Sequence, residues 1–308
     1  MIVTLGSIIP HMPLDQWVNN FVDWATIAFA GFFTILETVI SFLTGTLDSA
    51  LSGPPDVVMA GILAAIAWYL AGWRVALFTA VGSVLIISLG LWQASMDTLS
   101  LVLGAALVSL LLGIPLGIVA AQSRAAEAIV TPSLDVMQTM PAFVYLIPLA
   151  ILLGLGNPPA LIATVIFAMP LAVRLTLLGI RQVPSETVEA ARAFGATPWQ
   201  TLIKVELPLA LPSIMAGVNQ VILLSLSMVV IAALIGAGGL GNTVVTGLGQ
   251  ADPGKGFIGG VGIVVIAVML DRITRNLRRR RLPWALTARF GSRSRVTEAI
   301  APREAMSS

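Results

Sequence analysis

Apolar residues fall along this chain in blocks about as long as a bilayer-crossing helix requires, roughly 20 residues each, with the polar positions gathered between them. Seven windows qualify: residues 56–72, 75–92, 98–121, 136–153, 158–178, 212–236 and 257–271. Backbone groups find no water to bond inside lipid, so each window is expected to be a helix rather than a strand. The stretch 14–50 has a different pattern. Polar or small residues recur at Asp15, Asn19, Asp23, Thr26, Ala30, Thr34, Glu37, Ser41, Gly45 and Asp48, close to helical spacing, while Trp17, Phe21, Phe29, Phe32, Ile35 and Phe42 lie off that stripe. This predicts an amphipathic helix lying on the membrane surface. Its acidic polar face suits the outer side, and an eighth span over 25–43 is the alternative reading. The expected fold is all-α, a polytopic bundle of about seven transmembrane helices. It divides into an external segment 1–55 with the amphipathic surface helix, a transmembrane domain 56–275 and a basic tail 276–308.

Charge orients the bundle, because Lys and Arg collect on the cytoplasmic side. Of the 17 Lys and Arg, Arg74, Arg124, Arg174, Arg181, Arg192 and Lys204 fall on one side of a seven-span arrangement. The ten at or beyond Arg272 lie on that same side, only Lys255 falls on the other, and residues 1–73 carry none. The N-terminus is therefore expected outside and the C-terminus in the cytoplasm. Composition agrees: 57% of the residues are apolar and 10% charged, against about 25% charged in soluble domains. Cysteine is absent, which excludes disulfides, thiolate metal sites and cysteine nucleophiles. His11 is the sole histidine and has no surroundings that suggest catalysis or metal binding. No basic n-region precedes the first apolar segment, so no cleavable signal is expected. The four arginines from Arg278 follow a span directly, where such a run marks the inside face and touches lipid headgroups. The expected partners thus include membrane lipids and no nucleic acid.

The informative polar stretch is the loop 181–208, RQVPSETVEAARAFGATPWQTLIKVELP. Ser185 is expected to cap a first short helix with Glu186 and Glu189 in its early turns, and Gly195 to end it. Thr197, Pro198 and Gln200 then read as the capping box of a second short helix. A plain connector, a DNA-binding helix-turn-helix and a docking element for a protein partner are the competing readings. Phosphate binding needs net positive charge, whereas Arg181, Arg192 and Lys204 are balanced by Glu186, Glu189 and Glu206. Ala190, Ala191 and Ala193 keep one face small enough for a partner surface to approach.

At this loop the chain resembles a known family. Glu189-Ala190-Ala191, three residues, Gly195, nine residues, Val205, one residue and Leu207-Pro208 is similar to the EAA loop of ABC-importer permeases, with Val205 where that family usually has Ile. The stretches 134–148, 174–184 and 227–241 look like permeases for glycine betaine and proline betaine, and the resemblance covers about residues 56–275. It implies a type I ABC-importer-like core in a bacterial inner membrane, importing a compatible solute. The loop would be a coupling helix fitting a cleft on a separate ATPase, through Glu186, Glu189, Ala190, Ala191, Phe194, Gly195, Ala196, Thr197, Pro198, Leu207 and Pro208. Candidates for the pathway are Met137, Met140, Pro141, Tyr145, Ser227, Gly236, Gly238 and Gly239. The resemblance also implies a second copy of the permease, two ATP-binding subunits and an external substrate-binding protein. ATP and Mg would be held by the partner ATPase, with no cofactor in this chain.

Two glycine motifs are decoys. Gly236 to Gly241 matches G-x-G-x-x-G, but a membrane helix precedes it where a dinucleotide site needs a strand. Gly249 to Lys255 approaches a P-loop, but Gly256 stands where Ser or Thr would hold magnesium. The chain is therefore not expected to be an enzyme. Gly113-x-x-x-Gly117 allows close helix packing, and a kink at Pro115 is an equal reading. An ion-coupled secondary transporter is the alternative function. It calls for ionisable groups deep in the membrane, whereas Arg174, Asp135 and Asp271 lie near span ends and Glu37 lies on the surface helix.

Overall fold

Residues 13–281 are described by a computed structural model. Expectations for His11 and for the tail past residue 281 lie outside the described residues. The elements are α1 (Leu14–Ala28), α2 (Ala30–Ser52), α3 (Asp56–Ala71), α4 (Trp73–Ser88), α5 (Trp92–Gln122), α6 (Arg124–Thr139), α7 (Ala142–Leu153), α8 (Asn157–Arg181), α9 (Ser185–Ala193) and α10 (Pro198–Thr201). A π-helical turn (Leu202–Glu206), α11 (Leu207–Ala233), α12 (Leu240–Gly249) and α13 (Pro253–Arg281) complete the described chain.

By length and composition five of these helices can cross a membrane, and the bent pair α6/α7 makes a sixth. All seven expected windows fall on helices, but three features differ from expectation. First, α3 and α4 have 16 residues each. At 1.5 Å per residue each is about 24 Å long, shorter than the ~30 Å hydrocarbon core. Gly72, at φ +94°, joins them into an apolar hairpin. Second, the window 136–153 is not straight, since α6 and α7 meet at 95°. Proline pushes the preceding residue out of the helical region, and Met140 sits extended at φ −70°, ψ 129° before Pro141. Third, a short helix, α12, follows the glycine run and packs back on the start of α13, with Gly247 against Gly256 and Thr243 against Gly259.

The stripe over 14–50 falls on two helices rather than one. Phe29, at φ −115°, ψ 20°, separates them. Its N–H still bonds the Ala25 carbonyl and its carbonyl the Phe33 N–H, so the break leaves neither group orphaned. Trp17, Phe21, Trp24, Phe32, Ile35 and Phe42 are exposed on these two helices. α2 is long and apolar enough to cross a membrane. Its C-terminal half lies against the beginnings of α5 and α8. Gln93 donates to the Ser52 hydroxyl, Thr44 and Leu47 lie beside Gly104, and Ile40 clusters with Leu101, Ala105 and Leu161.

The centre of the bundle is α5, α8 and α11. α5 and α8 run parallel at glycine-permitted distance. A Cβ on Gly113 would lie 2.7 Å from that of Ala172, and one on Gly117 2.7 Å from both Thr176 Cβ and the Val173 carbonyl oxygen. Close packing is thus what this glycine pair does, and α5 continues as helix through Pro115. α11 returns antiparallel, with Gly179 against Ser213 and Gly217 against Leu175. Leu99, Val102, Ala172, Val221, Leu226, Ile266 and Met269 knit the three helices to α13. The turn after α11 is pinned to α5 at the end opposite the 181–208 loop. There the Thr98 hydroxyl accepts the Leu240 N–H at 2.8 Å.

Candidate functional site

The loop begins where α8 stops at Arg181 and Pro184 bends the chain into α9. Ser185 is not the cap that its sequence position suggests. Pro184, at φ −57°, ψ 131°, holds the N-cap position without a side-chain bond. Its carbonyl receives the Thr187 and Val188 N–H groups, and Ser185 becomes the first helical residue. Glu186 lies in the first turn, where its charge complements the helix dipole. α9 has no buried residue: Glu186, Glu189 and Ala190 are exposed, and Val188 and Ala191 half-buried.

α9 ends as its glycine predicts. Gly195 takes φ +83°. Its N–H bonds the Arg192 carbonyl while the Ala196 N–H bonds that of Ala191, a Schellman closure that satisfies carbonyls the helix end would leave open. The Thr197 capping box is also present. Thr197 Oγ1 accepts the Gln200 N–H at 3.3 Å and Gln200 Oε1 accepts the Thr197 N–H at 3.0 Å, with Pro198 in the first turn. Losing such a cap costs about 1 kcal/mol. Thr197→Ala is therefore expected to speed hydrogen exchange at the Gln200 amide about fivefold while exchange in α11 stays as it was.

The second short helix is not a separate element. α10, the π turn and α11 form one helix of 36 residues, Pro198–Ala233. Proline has no N–H and its ring crowds the carbonyl four residues back. Ahead of Pro208 the ladder widens, and the Leu207 N–H bonds the Leu202 carbonyl, which is the π pattern. Leu207 and Pro208 thus belong to the root of α11. Leu202, Leu207, Ala210 and Ile214 pack there with Ile114, Ile118 and Ile180. Above that apolar root Phe194 is 93% exposed and Trp199 68% exposed. The arrangement is a stiff projecting knob with bare aromatics. No metal-holding group occurs among the described residues. Bare aromatics on a closed loop have the properties of a docking surface.

The pathway candidates divide into two places. Pro141 sits at the α6/α7 break with Met140 and Pro141 exposed and Met137 half-buried. Tyr145 packs with Phe167, Met228 and Ile231, and neighbouring Ser227 is exposed, its hydroxyl donating to the Leu224 carbonyl at 2.7 Å. Gly236 and Gly239, at φ +86° and +81°, form the turn between α11 and α12. Gly238 borders a cleft of about 460 Å³ with Ser41, Asp48, Asp97 and Asn157. The helix preceding this turn removes the dinucleotide reading, and Gly249 to Lys255 runs from the end of α12 through residues 250–252 into the first turn of α13. Three contacts escaped the sequence: Arg174 with Asp135, Arg181 with Glu127, and Gln122 with Glu206. Their partners lie 39, 54 and 84 positions apart, too far for any local pattern to pair them.

Residues 113–283 match the family described as binding-protein-dependent transport system inner membrane component. The chain is 47% identical to the glycine betaine/proline betaine transport system permease protein ProW of Escherichia coli over 263 residues, covering 85% of this chain and 74% of that one. It is 46% identical to the glycine betaine transport system permease protein OpuAB of Bacillus subtilis, over 88% of this chain and 96% of that one. Its fold is similar to an inward-facing conformation of the MetNI methionine ABC transporter, with TM-score 0.54 at 21% identity, covering 60% of this chain and 92% of that one.

Proposed function

The chain belongs to the family of binding-protein-dependent transport system inner membrane components, and from that premise we propose that residues 181–208 are the handle by which separate ATPase subunits drive a solute through it. It is a multi-pass inner membrane protein and the permease of an ABC importer for glycine betaine and proline betaine, the solutes in the name of its Escherichia coli relative. Such permeases work with ATP-binding subunits and a substrate-binding protein.

The finer reading is ours. Two copies of the chain enclose one pathway, each engaging one ATPase, and a binding protein delivers solute from outside. ATP and Mg sit in the ATPase subunits, and this chain carries no hydrolytic site of its own. The N-terminus lies outside and the C-terminus in the cytoplasm, as the Lys and Arg distribution directs. Glu186, Glu189, Ala190, Ala191, Phe194 to Pro198, Leu207 and Pro208 form the docking element and its root. Met137, Met140, Pro141, Tyr145, Ser227, Gly236, Gly238 and Gly239 border the pathway.

The observation that carries this reading is the knob itself. Hydrogen bonds close it at Gly195 and again at Thr197, an apolar root holds it, and Phe194 and Trp199 are left bare. The test is reconstitution of the chain with ATPase and binding-protein subunits in liposomes. Glycine betaine and proline betaine are expected to stimulate ATP hydrolysis and to accumulate in an ATP-dependent way. Accumulation that follows an ion gradient and ignores ATP would favour a secondary transporter instead.

A further inference from the structure

Both ends of the knob are fastened to the same corner of the bundle. The corner is Ser123, extended at φ −137°, ψ 120° between α5 and α6, its hydroxyl accepting the Ala126 N–H at 3.3 Å. Just before it, Gln122 Nε2 donates to Glu206 Oε2 at 2.8 Å. Just after it, Glu127 of α6 accepts from Arg181. Arg181 is the last residue of α8, where the chain enters the loop, and Glu206 closes the π turn, where the chain leaves it. Farther along α6, Asp135 accepts from Arg174 of α8. α6 is thus tied twice to the helix that leads into the loop, and it ends at the 95° break before α7.

These contacts sit at an exposed surface, where ion pairs add little to stability. Their value is directional. The apolar root beneath the loop attracts without fixing an angle, whereas a charge-assisted hydrogen bond holds donor and acceptor in line. We infer that the α5–α6 corner is a positioning element. Arg181 and Glu127 on one side, and Glu206 and Gln122 on the other, pass displacement of the knob to α6 and so to the Met140–Pro141 joint. The inference rests on the reading of the knob as the ATPase handle. In this role Arg181, Glu127, Gln122 and Glu206 act through the helices they link.

The test is the number of solute molecules carried per ATP hydrolysed by the reconstituted complex. Arg181→Glu and Glu127→Arg are each expected to lower that ratio about threefold or more, within the range for residues that carry coupling. The double swap, which restores an opposite-charge pair, should recover most of it. Glu206→Ala should also lower the ratio, whereas Glu206→Gln keeps an acceptor for Gln122 and should hold it. An unchanged ratio in Arg181→Glu, or a double swap no better than its singles, would overturn the inference even if the singles assemble poorly. Glu189→Lys separates this from failure of the underlying reading. If it transports normally, the knob is not the handle. If it fails while the corner variants behave as wild type, only the corner's role is refuted.

Discussion

Tryptophan at position 195 is expected to abolish solute uptake by the assembled transporter while the chain still inserts and folds. Gly195 has φ +83°, and a side chain in that region costs about 1–2 kcal/mol. Beyond its chain neighbours nothing lies within 4 Å of the position its Cβ would take, so a side chain there starts into open space. On the proposed docking of the knob to the ATPase, it would stand in that interface beside Phe194. A loss of about 30-fold or more in ATP-driven uptake is expected, the effect of removing about 2 kcal/mol at a packed interface. Gly195→Ala separates strain from bulk and should retain substantially more uptake than the tryptophan variant. Uptake and ATP hydrolysis in liposomes, beside thermal unfolding in detergent, measure both. Wild-type uptake by the tryptophan variant would refute the assignment of the knob to the ATPase.

Valine at position 117 should act on the scaffold rather than on coupling. A Cβ there would approach the Val173 carbonyl oxygen and Thr176 Cβ to 2.7 Å each, and the carbonyl belongs to a helical ladder that cannot swing aside as a side chain can. Overpacking of this kind costs about 1–3 kcal/mol, and valine brings two methyls beyond that first atom. The unfolding midpoint in detergent is expected to fall by several degrees, together with the yield of folded protein. Gly249→Ala, with open space around its Cβ, should leave the midpoint close to the wild type. Equal midpoints for Gly117→Val and the wild-type chain would mean that α5 and α8 do not approach as described.

What could be read beforehand was whatever depends on a few neighbouring residues. Gly195 and the Thr197–Gln200 pair announce their conformations because a left-handed stop and a reciprocal cap are local events. The same reasoning failed at Ser185, since Pro184 occupies the position that a capping serine would need. It failed again beyond Gln200, where a helix expected to be short runs on through a π turn that accommodates Pro208. The break at Phe29 has no proline to betray it, Gly31 stands inside α2 rather than at the break, and the polar stripe passes over it with its period intact. At Met140–Pro141 the proline was visible but its consequence was not, because prolines also persist inside unbroken helices, as Pro115 does in α5. The α5–α6 corner was out of reach altogether, since Arg181 finds Glu127 only after two helices have folded back on each other.

The glycine seam between α5 and α8 has a mechanical meaning. Where glycines of one rod meet Ala172 and Thr176 of the other, few long side chains lie between them to change rotamer and absorb a shift. The pair resists sliding and behaves as a single girder. Any cycle that opens the assembly first to one face of the membrane and then to the other must draw its compliance from elsewhere. The 95° elbow between α6 and α7 lies off this beam and is the place where that compliance would enter.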